Sequence, residues 1–135
     1  MRRILFVCGE NAGRSQMAEA FFNRYSEQTD YKAESCGTVP AGKIHATVIE
    51  AMAEKGIDLT SAHPKQFDPS TLHNYDRIIS FGCLVKATLP AEVRERIEDW
   101  YIEDPRDKPL EEVRKVRDEV ERRVKLLIAE LRSSA

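Results

Sequence analysis

The hydrophobic positions of the chain follow two different periods, one typical of strands and one typical of helices. Short apolar runs predict strands at residues 3–8, 31–37, 75–83 and 96–102. Apolar residues spaced three and four apart predict helices at residues 14–25, 45–56 and 110–131. A turn-rich segment follows the second helix, and it predicts one further short helix after Asp68.

The order of these elements predicts an α/β fold. Strands that alternate with helices are typical of a parallel sheet with helices on both faces. No repeat, linker or low-complexity tract interrupts the chain, so we expect one domain over residues 1–135. The net charge of −2 gives no general attraction to nucleic acid or to a membrane surface. The apolar run near the start is too short for a signal peptide, so we expect a cytoplasmic protein.

The three cysteines are informative because of where they fall. An odd number without CxxC spacing predicts neither a disulfide framework nor a zinc site. The three histidines also lack metal-ligand spacing, and we expect them in loops or on the surface. Cys8, Cys36 and Cys83 each end a predicted strand, at the edge where parallel sheets bind ligands. If the first strand lies between the second and the third, all three thiols should lie along one rim.

The segment CGENAGRS, residues 8–15, predicts an oxyanion site between the first strand and the first helix. A tight turn there directs consecutive backbone N–H groups inward, at a helix N-terminus. Arg14 adds a two-pronged donor, and the positive field favours the thiolate form of Cys8. Ser15 can donate a hydrogen bond to that sulfur. The residues expected to bind the oxyanion are Gly9, Glu10, Asn11, Ala12, Gly13 and Arg14.

This C-x5-R-S motif resembles the motif of the low-molecular-weight protein tyrosine phosphatases and of the arsenate reductases of the same fold. The resemblance covers nearly the whole chain, and it implies a four-stranded parallel sheet in the order 2-1-3-4. It implies that Cys8 is the nucleophile, that Arg14 and Ser15 assist it, and that Asn11 shapes the loop. It also makes Asp104, which precedes Pro105, the general acid, a role that a carboxylic acid on an adjacent loop can fill.

A second thiol distinguishes reduction of arsenate from hydrolysis of a phosphate ester. Reduction takes two electrons, which a thiol must supply by attacking the adduct on Cys8. Cys83 is the candidate, and we expect the segment that follows it, residues 84–90, to move. Gln16 and Trp100 resemble the reductases, and Arg106 stands where the phosphatases typically carry an aromatic residue. The leading hypothesis is therefore arsenate reduction.

The resemblance also suggests the partners. Leu89 stands where the thioredoxin-linked reductases carry a further cysteine, which favours glutathione, glutaredoxin or another small thiol as the reductant over thioredoxin. We expect a monomer without a bound cofactor. Some relatives bind potassium beside the loop, where His63 and Lys65 fall here, so Lys65 is expected to replace that cation. Cys36 is expected to be structural.

Two alternatives remain open at this point. The first is a low-molecular-weight phosphatase that hydrolyses phosphotyrosine or small phosphate monoesters through a phosphorylated Cys8. The second is a non-catalytic oxyanion binder or thiol redox sensor. Asp104 argues against the second alternative, because binding alone needs no acid.

Overall fold

The computed structural model of the protein describes residues 2–84 and 89–133. Four parallel strands form one sheet in the order β2-β1-β3-β4, which confirms the predicted fold class and strand order. The strands are β1 (Arg2–Cys8), β2 (Tyr31–Gly37), β3 (Arg77–Ser80) and β4 (Ile97–Asp99). The α-helices are α1 (Arg14–Tyr25), α2 (Ala46–Ala53), α3 (Ala91–Arg94) and α4 (Leu110–Ser133).

The sheet carries a separate hydrophobic cluster on each face. Side chains of β1 alternate, so that Ile4 and Phe6 enter one cluster while Leu5 and Val7 enter the other. Buried residues of α1, α2 and α4 complete the first cluster. The second cluster is completed by α3 and by a short 3-10 helix, Pro69–Asn74. Helices therefore cover both faces, as predicted, and the three longest lie on the same face.

Two predicted strands are longer than the observed ones, and one helix was not predicted. The third strand ends at Ser80 rather than Cys83, because Gly82 has a φ of 82°, which an extended strand does not allow. The fourth strand ends at Asp99, because β3 offers no partner beyond Ser80. Helix α3 is only four residues long, too short to give a periodic pattern. The short helix after Asp68 is confirmed, and the Asp68 carboxylate caps it by accepting the Ser70 N–H.

None of the helices among the described residues combines the length and the apolar character that a membrane span requires.

The feature of the fold that matters for chemistry is the connection from β1 to α1. It starts in the middle of the sheet and ends at the N-terminus of a twelve-residue helix. This connection therefore lies at the carboxyl edge of the sheet, where the sequence predicts the site.

Candidate active site

The loop between Cys8 and Arg14, which we call the anion loop, is held with its carbonyl groups turned outward. The carbonyls of Cys8, Gly9, Glu10 and Ala12 accept backbone N–H groups of residues 38–45, at 2.8 to 3.2 Å. Asn11 takes the left-handed conformation, with a φ of 52°. With the carbonyl groups engaged outside, the N–H groups of the loop can converge on its centre, as an anion site requires.

The Cys8 sulfur lies at the floor of the anion loop, where it is almost completely buried. Its Sγ is 2.8 Å from the Ser15 Oγ, and it accepts the backbone N–H of Asn11 at 3.2 Å. The side-chain amide of Asn11 donates to the same Ser15 Oγ at 2.7 Å. The structure therefore brings together Cys8, Ser15 and Asn11, three of the residues that the sequence predicts for the site.

Arg14 is held beside the loop by contacts with segments from the second half of the chain. Its Nη1 donates to the Ile102 carbonyl at 2.8 Å, and its guanidinium lies over the Phe81 ring, 5.5 Å from the centroid. Its Nη2 is 3.7 Å from the Asp104 carboxylate. These contacts hold the guanidinium at the edge of the pocket above Cys8.

Asp104 reaches the pocket on a loop that comes from the far end of the chain. Its Oδ1 accepts the backbone N–H of Arg106 at 3.0 Å, and the carboxylate is half-exposed. Pro105 packs so closely on Gly13 that a Cβ atom at that position would lie 3.1 Å from the proline ring. Gly13 therefore lets the segment that carries Asp104 and Pro105 approach the anion loop. The pocket is lined by Cys8, Glu10, Ala12, Gly13, Arg14, His45 and Asp104.

Sequence reasoning missed His45 as a pocket residue and missed the contacts that His45 and Arg106 make with Glu10. The Glu10 carboxylate lies 3.4 Å from His45 Nε2 and accepts Arg106 Nη1 at 3.2 Å. His45 thus has a place at the pocket that its sequence position did not indicate. No sequence signal joins these three positions, because they come from three segments that only the fold brings together.

The family is identified by comparison with known proteins. The model of the family "Low molecular weight phosphotyrosine protein phosphatase" matches residues 3–135. The chain belongs to this family. The resemblance stated from the sequence is thereby confirmed, and it extends over almost the full length.

Relatives within the low-molecular-weight phosphatase family bear the name of a reductase. A putative arsenate reductase of Halobacterium salinarum is 38% identical over 123 residues, which cover 88% of this chain and 85% of the relative. The glutaredoxin arsenate reductase of Synechocystis is also 38% identical, over 97% of this chain and 99% of the relative. A solved arsenate reductase in the phosphate-binding state is 37% identical, with a TM-score of 0.83, and the match covers 97% of this chain and 99% of that structure.

The side chains of the other two cysteines lie on the opposite face of the sheet from Cys8. The Cys8 side chain belongs to the cluster under α1 and α4, whereas Cys36 belongs to the opposite cluster and Cys83 packs against it. Cys83 lies three residues beyond the end of β3. All three cysteines lie at the carboxyl edge of the sheet, as predicted, but not on one face. Cys36 is paired with Val7, whose side chain points away from that of Cys8.

Cys83 nevertheless lies close to the backbone of β1 just before Cys8. Its Sγ donates to the Val7 carbonyl at 3.4 Å and is 3.7 Å from the Ser80 Oγ. Burial raises the pKa of the Cys83 thiol, and interaction with Cys8 raises it further. Burial raises the pKa of Cys36 to about 12, so this thiol is protonated at neutral pH. Most of the segment expected to move lies at residues 85–88, outside the described residues.

Lys65 lies beside the anion loop, as its sequence position suggests. Its Nζ is 3.6 Å from the Glu19 carboxylate and 3.4 Å from the Ser35 Oγ, and its backbone N–H donates to Asn11 Oδ1 at 2.8 Å. That this ammonium replaces a bound cation stays a prediction. Within the described residues, no group of three or more His, Cys, Asp or Glu side chains could hold a metal ion.

Proposed function

We propose that this protein reduces arsenate to arsenite, with Cys8 as the nucleophile and Cys83 as the second thiol. The observation that carries the proposal is the position of Cys83. Its sulfur donates a hydrogen bond to the carbonyl of Val7, the residue that directly precedes Cys8. Cys83 therefore lies at the same edge of the sheet as Cys8. The reductase names of relatives that match nearly the whole chain support the same activity.

In the first step the Cys8 thiolate attacks arsenic of an arsenate held by the anion loop and by Arg14. A sulfur–arsenic bond forms, and one arsenate oxygen leaves as water with a proton from Asp104. Arsenic keeps its oxidation state in this step. The N–H groups and the guanidinium stabilise the negative charge on the remaining oxygens.

In the second step a thiolate from Cys83 attacks the Cys8 sulfur. A disulfide forms, the sulfur–arsenic bond breaks, and its electron pair stays on arsenic, which leaves as arsenite. Two thiols and one arsenic acid thus give one disulfide, one arsenous acid and one water. Cys83 must lose its proton and move across the sheet edge, because its thiol is neutral and packs on the other face.

An external thiol then returns the disulfide to two thiols. We infer that glutathione with glutaredoxin does this, which agrees with the name of the Synechocystis relative and with Leu89 in the place of a third relay cysteine. If an outside thiol attacks the adduct directly, a mixed disulfide forms on Cys8 instead, and Cys83 is not needed.

Phosphatase activity is the second candidate. Cys8, Arg14 and Asp104 line one pocket, and together they suffice for ester hydrolysis without any second thiol. A phosphate monoester would transfer its phosphoryl group to Cys8, with Asp104 protonating the leaving alcohol, and water would then release phosphate.

One set of assays separates these activities. Arsenite production is measured with glutathione and glutaredoxin, and separately with thioredoxin and its reductase, beside hydrolysis of para-nitrophenyl phosphate. We expect Cys83→Ser to lose arsenite production and to keep most ester hydrolysis. Cys36→Ser is the matched control, because this cysteine is also buried but plays no part in the scheme.

The outcomes differ clearly. If Cys83→Ser keeps both activities, Cys83 is not the second thiol, and an outside thiol must attack the Cys8 adduct directly. If the wild type hydrolyses the ester but makes no arsenite with either reductant, a phosphatase is the better description. If Cys8→Ser keeps either activity at the wild-type level, the proposed nucleophile is wrong. An oxyanion binder or redox sensor predicts phosphate binding without turnover in either assay.

A further inference from the structure

Gln16 is a polar side chain that is completely buried, in the first turn of α1, behind the anion loop. Its Nε2 lies within hydrogen-bond distance of three acceptors: the Asn11 carbonyl at 3.2 Å, Asn11 Oδ1 at 3.0 Å and the His63 carbonyl at 3.1 Å. Burying an amide in this way is costly unless it makes hydrogen bonds, so these contacts define its position. Two of them go to the residue that shapes the loop.

These donors determine which way the Asn11 carboxamide faces. Its Oδ1 accepts hydrogen bonds from Gln16 Nε2 and from the backbone N–H of Lys65, the latter at 2.8 Å. Both groups are donors, so the atom they meet must be the oxygen of the amide. The nitrogen of the same amide therefore faces Ser15, and it donates to the Ser15 Oγ at 2.7 Å.

The direction of this donation decides where the Ser15 hydrogen goes. A hydroxyl has one hydrogen, and Ser15 already accepts from Asn11, so its own hydrogen is free to point to Cys8 Sγ at 2.8 Å. A thiolate accepts this bond better than a thiol does, so the bond favours the reactive form of Cys8. With the Asn11 amide turned over, its oxygen would compete with the sulfur for the same hydrogen.

We propose that Gln16 is a positioning residue for the nucleophile: it holds the Asn11 carboxamide in the orientation that leaves the Ser15 hydrogen for Cys8. Its bond to the Asn11 carbonyl also supports the left-handed backbone of that residue. The proposal rests on Cys8 being the nucleophile of the proposed function, and it adds a residue that touches neither the sulfur nor the substrate.

The test replaces Gln16 by Met, which has a similar volume and helix propensity but cannot donate. The rate at which iodoacetamide alkylates Cys8 is measured as a function of pH by mass spectrometry of the Cys8 peptide. We expect the midpoint of this pH profile to rise by about one half to one unit, the effect of weakening one hydrogen bond to the thiolate. Alkylation needs no arsenate, so it reports on Gln16 even if reductase activity is absent.

Asn23→Leu is the matched control. Asn23 lies on the same helix, and its carboxamide likewise bonds backbone groups, accepting the Ala33 N–H at 2.9 Å and donating to the Ala33 carbonyl at 3.0 Å. Asn23→Leu should lower the thermal stability but leave the Cys8 midpoint where it is in the wild type. If this control moves the midpoint as much as Gln16→Met does, Gln16 is merely structural.

A double-mutant cycle checks that Gln16 acts through Asn11. In an Asn11→Ala background, Gln16→Met should cause no further shift of the midpoint. A full additional shift there, or an unchanged midpoint in the single variant, would overturn the proposal. If Gln16→Met fails to fold, Gln16→Asn serves instead, because it keeps the amide but withdraws the donor from Asn11, and it must shift the midpoint in the same direction.

Discussion

At the scale of single residues, Asp104 is the side chain whose proposed role, protonation of the leaving group, depends most on which group leaves. Its carboxyl group faces Arg14 and the Arg106 N–H at the edge of the pocket. In its acid form it can protonate the leaving-group oxygen of a phosphate ester while Cys8 attacks the phosphorus. A poor leaving group needs this proton, whereas a good one leaves largely as the anion.

Asp104→Asn should therefore lower kcat/KM for phenyl phosphate by about 100-fold to 1,000-fold, and lower it much less for para-nitrophenyl phosphate. Steady-state hydrolysis of both esters measures the difference. Asp107→Asn is the matched control, since Asp107 is an exposed acid on the same loop, and its left-handed backbone suits asparagine. Equal losses for the two esters would contradict the role of Asp104 as the acid.

At the scale of elements, the end of β2 supports the anion loop. Gly37 packs so tightly against the loop that a Cβ atom would lie 2.8 Å from the Asn11 nitrogen and 2.8 Å from the Gly9 carbonyl oxygen. Both are backbone atoms, which cannot move aside as a flexible side chain could. The shape of the anion loop thus depends on a glycine in a neighbouring strand.

Gly37→Ala should destabilise the fold by about 1–3 kcal/mol, the usual cost of overpacking, and should weaken phosphate binding. Denaturant unfolding gives the first quantity, and isothermal titration with inorganic phosphate gives the second. Gly42→Ala should change neither, because a Cβ atom there meets nothing within 4 Å. Tight phosphate binding by Gly37→Ala would mean that the loop tolerates a displaced β2.

At the scale of the whole molecule, an ion-pair network joins α2 to the long α4. Glu54 accepts hydrogen bonds from Arg114 and from the buried Arg117, which also donates to the Ala51 carbonyl at 2.9 Å. The bonds from Arg114 and Arg117 lower the pKa of Glu54 to about 2. The network therefore links packing of the helices to pH.

A carboxyl group whose pKa falls on folding contributes stability that is complete above its unfolded value, 4.5 for Glu54. We expect this contribution to be lost as the pH falls from about 4.5 to about 2. The free energy of unfolding of Glu54→Gln, measured by urea unfolding, should therefore fall less steeply than that of the wild type as the pH is lowered through this range. Glu27→Gln, at an exposed position, should leave this slope as in the wild type. An unchanged slope in Glu54→Gln would refute the linkage.

The local parts of the molecule were predictable from sequence. The hydrophobic periods and the spacing of Cys8, Arg14 and Ser15 both depend on backbone geometry over only a few residues. The sequence alone was therefore enough to locate the anion loop. Strand ends were less predictable. The predicted third strand runs through Gly82, whose positive φ belongs to a turn, and the end of β4 depends on where its partner strand stops.

Only the tertiary structure decided what surrounds the sulfur. It brought Asp104 and His45 to the pocket from distant segments, and it placed the Ile102 carbonyl where it accepts a hydrogen bond from Arg14. It also directed Cys83 to the opposite face of the sheet from Cys8, and it gave the buried Gln16 its partners. The reason is physical: a backbone turn is specified by its own residues, whereas pairing of strands, facing of side chains and satisfaction of buried polar groups depend on segments far apart in the chain.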